Sequence, residues 1–123
     1  MIRDKRLAEL LLQATNNLKK AVKAKMKGDY RLLSEKVWEI GADLEYLLFI
    51  ISLSRENSND LWKENVKTTR TVDIDYELTT IQSLLKEASS SLEVNLEECY
   101  MKMWFARGCT LRVQRTLERT TAK

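Results

Sequence analysis

The chain has 123 residues, of which 44% are hydrophobic and 32% charged, and it carries a net charge of +3 at pH 7. That length fits one domain, the composition is too apolar for disorder, and the longest apolar run, Leu47-Leu48-Phe49-Ile50-Ile51, falls far short of the ~20 residues that cross a bilayer. With no histidine and only two cysteines, the chain lacks the groups for His-based acid–base chemistry, Ser-His-Asp and Cys-His nucleophiles, most catalytic zinc sites and haem ligation by histidine.

There is no proline and there are three glycines, so long helices joined by short turns are expected. The spacing predicts a first helix over 3–27. Leu7, Leu10, Leu11, Ala14, Leu18, Ala21 and Val22 recur at three- and four-residue steps as one apolar stripe. Lysines in its last turn followed by Gly28 form a stop signal, and Asp29 offers an oxygen to cap the next helix. A second helix over 30–53 carries Leu33, Val37, Ile40, Leu44, Leu47, Leu48 and Ile51. Gly41 inside it is unfavourable by about 1 kcal/mol relative to alanine, which a close helix–helix contact would explain. Asp60 caps a short extra helix through Val66, and the β-branched, polar stretch 68–72 reads as a link. Asp73 or Asp75 caps a third helix, with Ile74, Leu78, Ile81, Leu85, Ala88, Leu92, Leu96 and Cys99 at helical spacing. A fourth carries Trp104, Val113 and Leu117 and ends near Arg119; the spacing leaves open whether the two are continuous or break somewhere in 103–108. The fold expected is all-α: an antiparallel bundle of four main helices plus one short helix, in a single domain over 1–123. No small-residue cleavage site follows Leu10-Leu11-Leu12, so the chain reads as a cytoplasmic protein without a signal peptide.

Charge is unevenly distributed. Residues 1–27 hold eight Lys/Arg and two acids, residues 28–100 hold seven and fifteen, and residues 101–123 hold six and one. If the two basic ends pack side by side they make one basic face. Its members are Lys19, Lys20, Lys23, Lys25 and Lys27 with Arg107, Arg112, Arg115 and Arg119. Such cations can track phosphates, with Tyr100 and Trp104 stacking bases beside them. This face suits RNA or an acidic protein partner; the plainer reading is a solubilising surface. Glu35, Glu39 and Asp43 lie at four-residue steps on the second helix, with Glu97 and Glu98 placed to face them. A hard cation such as Mg²⁺ takes oxygen ligands and needs no histidine, so a Mg²⁺-dependent nucleotide pyrophosphohydrolase is the alternative function, although the Glu-x-x-Glu pairs typical of that class are absent from this helix. The plainer reading is a solvated acidic face, with no cofactor. Cys99 and Cys109 would sit about 15 Å apart on one helix, beyond disulfide reach unless the helix breaks at Gly108, and otherwise read as small buried residues. The aromatic residues Trp38, Tyr46, Phe49 and Trp62 read as core or interface, and the second helix is unusually apolar from Tyr46 to Ile51, surface that a homodimer would hide.

Three segments together resemble the PaREP family of archaeal helical proteins, allied to the HEPN domains. Lys27-Gly28-Asp29-Tyr30 followed by Ser34-Glu35-Lys36-Val37-Trp38 is similar to the family's glycine-aspartate turn and second-helix opening. Asp60-Leu61-Trp62 resembles its short element after that helix. Leu92-Glu93-Val94-Asn95-Leu96-Glu97-Glu98 looks like its Leu-His-x-Asn-Phe-Tyr-Glu segment. Two positions depart from the pattern: Glu93 stands where the family has histidine, and Leu96-Glu97 where it has two aromatics. HEPN ribonucleases use an arginine and a histidine, for which this chain offers Lys86 and Glu93. A glutamate lacks the proton shuttle of an imidazole near neutral pH. The resemblance therefore implies a member silent as a ribonuclease and acting as an interaction or RNA-binding module. Asn95 is expected there as a polar anchor buried in the bundle, with a remnant ligand site as the alternative.

Overall fold

The computed structural model describes residues 2–54, Lys63 and 72–121. Four helices account for nearly all of these: α1 (Ile2–Met26), α2 (Tyr30–Ser52), α3 (Ile74–Ser91) and α4 (Leu96–Thr121). The short helix expected at 60–66 and the Asp60-Leu61-Trp62 segment lie outside the described residues, Lys63 excepted.

The turn between α1 and α2 follows directly from its residues. Gly28 adopts φ +73°, a left-handed conformation that glycine enters without a Cβ penalty. The Gly28 amide donates to the Lys25 carbonyl and the Asp29 amide to that of Ala24, the paired bonds of a Schellman stop. Asp29 then caps α2, its carboxylate accepting from the Leu32 amide at 3.1 Å. Asp73, not Asp75, caps α3, accepting from the Asp75 and Tyr76 amides.

Each helix buries one stripe. Leu7, Leu11, Ala14, Leu18 and Ala21 from α1 meet Leu33, Val37, Ile40, Leu44 and Leu47 from α2 in the core. Leu78, Ile81, Leu85 and Ala88 come from α3, and Cys99, Met103, Ala106, Val113 and Leu117 from α4. Val22, expected in the α1 stripe, is exposed; Ala24 is buried in its stead. Gly41 faces α4 closely: a Cβ there would lie 3.0 Å from Nη1 of Arg107 and 3.4 Å from the Thr110 hydroxyl.

The boundary between α3 and α4 does not lie within 103–108. Gly108 is buried inside a continuous α4, and the break falls at 92–95. There the Val94 and Asn95 amides both donate to the Ser91 carbonyl, and the Asn95 side chain accepts from the Glu98 amide at 3.2 Å. Asn95 is thus an exposed N-cap of α4 rather than a buried anchor.

Helix α1 packs on α2 and α3, and α4 packs on the same two, so among the described residues α1 and α4 occupy diagonal corners without touching. Gln13 and Asn17 on α1 meet Asp43 on α2; Glu77 and Glu87 on α3 meet Arg112 and Lys102 on α4. No helix among the described residues is long and apolar enough to cross a membrane.

Candidate interaction surface

The diagonal placement separates the two basic ends. Lys19, Lys20 and Lys23 are exposed on α1 and Lys27 in the turn after it, while Arg115 and Arg119 are exposed on α4 at the opposite corner. They do not form the single face that side-by-side packing would give. The other two arginines of α4 are held by carboxylates. Arg107 reaches Glu45 on α2, with Nε at 3.1 Å and Nη2 at 2.7 Å from one oxygen, while Nη1 donates to Thr110. Arg112 grips Glu77 on α3 through Nε at 2.9 Å and Nη2 at 3.5 Å, and Nη2 also donates to the Cys109 sulfur at 3.2 Å. The Glu77 side chain is only 8% exposed. Burial pulls the Arg112 guanidinium down, but its bonds and charge contacts with Glu77 and Cys109 lift it overall.

On α2, each expected acidic ligand already has a partner. Glu35 lies 3.9 Å from Arg31 and Glu39 3.0 Å from Lys36. Asp43 accepts from Gln13 at 2.8 Å and Asn17 at 3.2 Å. Burial raises its carboxyl above the ordinary range; the Asn17 and Gln13 bonds oppose this and the charge of Glu39 adds to it. Glu97 and Glu98 sit in the first turn of α4, where the amide dipoles favour negative charge. Among the described residues no three His, Cys, Asp or Glu side chains converge as a metal site. Both cysteines are buried free thiols on α4. Burial pushes Cys99 up to about 11 and Cys109 up to about 12, the latter aided by Glu77. Neither is a thiolate nucleophile at neutral pH. Glu93 is exposed in the α3–α4 turn beside the Asn95 cap, and Lys86 is exposed on α3.

The most distinctive surface is apolar. Trp38 is 65% exposed, Tyr46 50%, Phe49 60% and Leu53 72%. At about 100° per residue these side chains, with exposed Ala42, fall within an arc of about 80° on α2 and extend for about 22 Å. This is a second apolar stripe, set apart from the one that α2 gives to the core. Helices in monomers normally present polar groups there. Beside it runs a groove of about 600 Å³ between α2 and α4. Leu48, Phe49, Tyr100, Trp104 and Leu111 make its apolar walls, and Glu45, Arg107 and Lys63 its polar rim. The Lys63 ammonium lies 3.0 Å from the Tyr100 hydroxyl and above the Tyr100 and Trp104 rings, at 4.8 and 5.8 Å from their centroids. The sequence shows the stripe only in part, as apolar excess from Tyr46 to Ile51, of which Tyr46 and Phe49 are exposed and Leu47 and Ile51 buried; the groove, which needs α4 to lie against α2, is not visible there.

Comparison with protein-family models, curated proteins and solved structures returns no match.

Proposed function

We propose that this chain is a non-catalytic helical interaction module, an antiparallel bundle in the cytoplasm that binds through the outer face of α2 and the adjoining α2/α4 groove. The observation that carries this reading is the run of Trp38, Tyr46, Phe49 and Leu53 in one exposed arc. Exposed aromatic clusters rimmed by polar groups are the usual signature of a binding surface. The antiparallel arrangement is supported by the short turns and by pairs such as Asn17 with Asp43 and Glu77 with Arg112, which lie at similar distances from their turns. The resemblance to PaREP and HEPN proteins belongs to the same proposal, carried by the Gly28-Asp29 turn and the opening of α2. The test is selection of helical peptides against the wild-type protein with Phe49→Asp as counter-target. Binders lost on Phe49→Asp are expected; a selection yielding only binders indifferent to it refutes the reading.

RNA binding is the second reading, favoured by the exposed Lys19, Lys20 and Lys23 on α1 and Lys27 in the turn after it. It predicts fluorescence anisotropy of a labelled single strand that weakens steeply with salt and is lost on Lys19→Glu with Lys23→Glu. The Mg²⁺-dependent hydrolase gains no support from carboxylates already engaged by Arg31, Lys36, Gln13 and Asn17.

A further inference from the structure

The exposed indole and the aromatic groove lie on the same helix at different levels. Trp38 stands in the first half of α2, and the groove takes Glu45, Phe49 and Ser52 from the second half. A twofold axis crossing α2 near residue 43 exchanges these levels. It brings Trp38 of one copy to the groove of the other and, by the same operation, the reverse. Ala42, the one small side chain in the exposed stripe, lies beside that axis, where two helices must approach most closely. We propose that this chain is a twofold homodimer in which Trp38 of each copy seats between Phe49 and Trp104 in the α2/α4 groove of the other.

Charge and area both favour a second copy as the occupant. Trp38 is flanked by the exposed Glu35 and the half-buried Glu39, and the groove rim holds Lys63 and Arg107. Glu39 keeps Lys36 and Arg107 keeps Glu45, but Glu35 has Arg31 only at a long 3.9 Å with that arginine 93% exposed, so on arriving with Trp38 it can turn to the Lys63 ammonium held beside the Tyr100 hydroxyl. Fully buried aromatic side chains hide roughly 150–250 Å² each. At the observed exposures of 65%, 50% and 60%, the three rings offer roughly 260–440 Å² per copy, or about 500–900 Å² in a pair. Leu53, 72% exposed, and the groove walls add to this, towards the ~1,000 Å² that a specific interface needs. Burying Trp38 in a pocket surrounded by polar groups also matches how interface hot spots are built.

This inference rests on α2 being an interaction surface, and its test separates the two ideas. Sedimentation velocity of the full chain from about 1 to 100 µM is expected to show a monomer–dimer equilibrium. Trp38→Ala, at an exposed position that folding does not depend on, and Ser52→Arg at the groove rim should each raise the dissociation constant at least about tenfold with unchanged helical circular dichroism. Glu35→Cys and Ser52→Cys chains, mixed and treated with a short bismaleimide, should cross-link faster than either alone. A chain that stays monomeric throughout overturns the dimer, while the peptide selection still reports on the α2 surface. A dimer indifferent to both variants, or one without the mixed cross-link, overturns this arrangement.

Discussion

Replacing Arg112 by methionine tests whether its guanidinium is structural. At about 3 Å and an effective dielectric constant near 20, the attraction between Arg112 and Glu77 is about 5 kcal/mol, and desolvation of both groups offsets much of it. Removing the arginine alone leaves the Glu77 carboxylate, 8% exposed, without its counter-charge. Breaking a buried pair in this way is destabilising by about 3–5 kcal/mol. The Arg112 side chain keeps 21% exposure, so water partly compensates and the expected loss is about 2–3 kcal/mol. In a chain of this size that lowers Tm by about 8–12 °C. Arg112→Met with Glu77→Leu removes both charges and should regain most of the loss, because two matched apolar groups replace the pair. Urea denaturation of the wild type, both single variants and the double variant gives the cycle. A loss under about 0.5 kcal/mol for Arg112→Met, or strict additivity in the double variant, refutes the reasoning.

Gly41→Ala sets a helix gain of about 1 kcal/mol against displacement of Arg107, whose Nη1 lies 3.0 Å from the new methyl position. Stability should change by less than about 0.5 kcal/mol in the wild type and rise by about 1 kcal/mol in an Arg107→Ala background, as thermal melts will show. Asn95→Ala should lower stability by about 1 kcal/mol through loss of the α4 cap, with Asn95→Asp restoring it. The raised thiol pKa values mean that the folded state keeps protons the unfolded chain releases above about pH 9. Stability should therefore fall as pH rises from about 9 through 11–12. Cys99→Ala should make that fall shallower in denaturation series across the range; an unchanged slope refutes the assignment to buried thiols.

Much of the first half of the fold is legible in the residues. Lysines, glycine and aspartate in succession spell a helix stop and a helix start, and both occur at Gly28 and Asp29. Gly41 signals a close contact, which Arg107 and Thr110 supply. The α3–α4 boundary is masked in the sequence because apolar spacing persists through the turn: Ala88, Leu92, Leu96 and Cys99 keep a helical interval while Leu92 itself holds helical angles, φ −53° and ψ −43°. The signal that does mark it is Asn95 with Glu98 three residues on, a capping pattern. Arg112 reads as a phosphate contact because spacing along one helix cannot reveal a carboxylate 35 residues away on another. Diagonal placement of the basic ends is likewise set by packing order, which local periodicity does not encode.

The two tight turns also bear on how the chain reaches this state. Gly28-Asp29 joins α1 to α2 and the 92–95 turn joins α3 to α4, so each adjoining pair finds its partner across only a few residues of chain. Such adjoining helix pairs close on short timescales and with little loop entropy lost. The contacts of α2 with α4 and of α1 with α3 span the long connection after Ser52 and await collision of the two preformed halves. Folding should therefore be fast overall, in the microsecond-to-millisecond range of helical bundles, with the docking of one helix pair on the other as its slowest step.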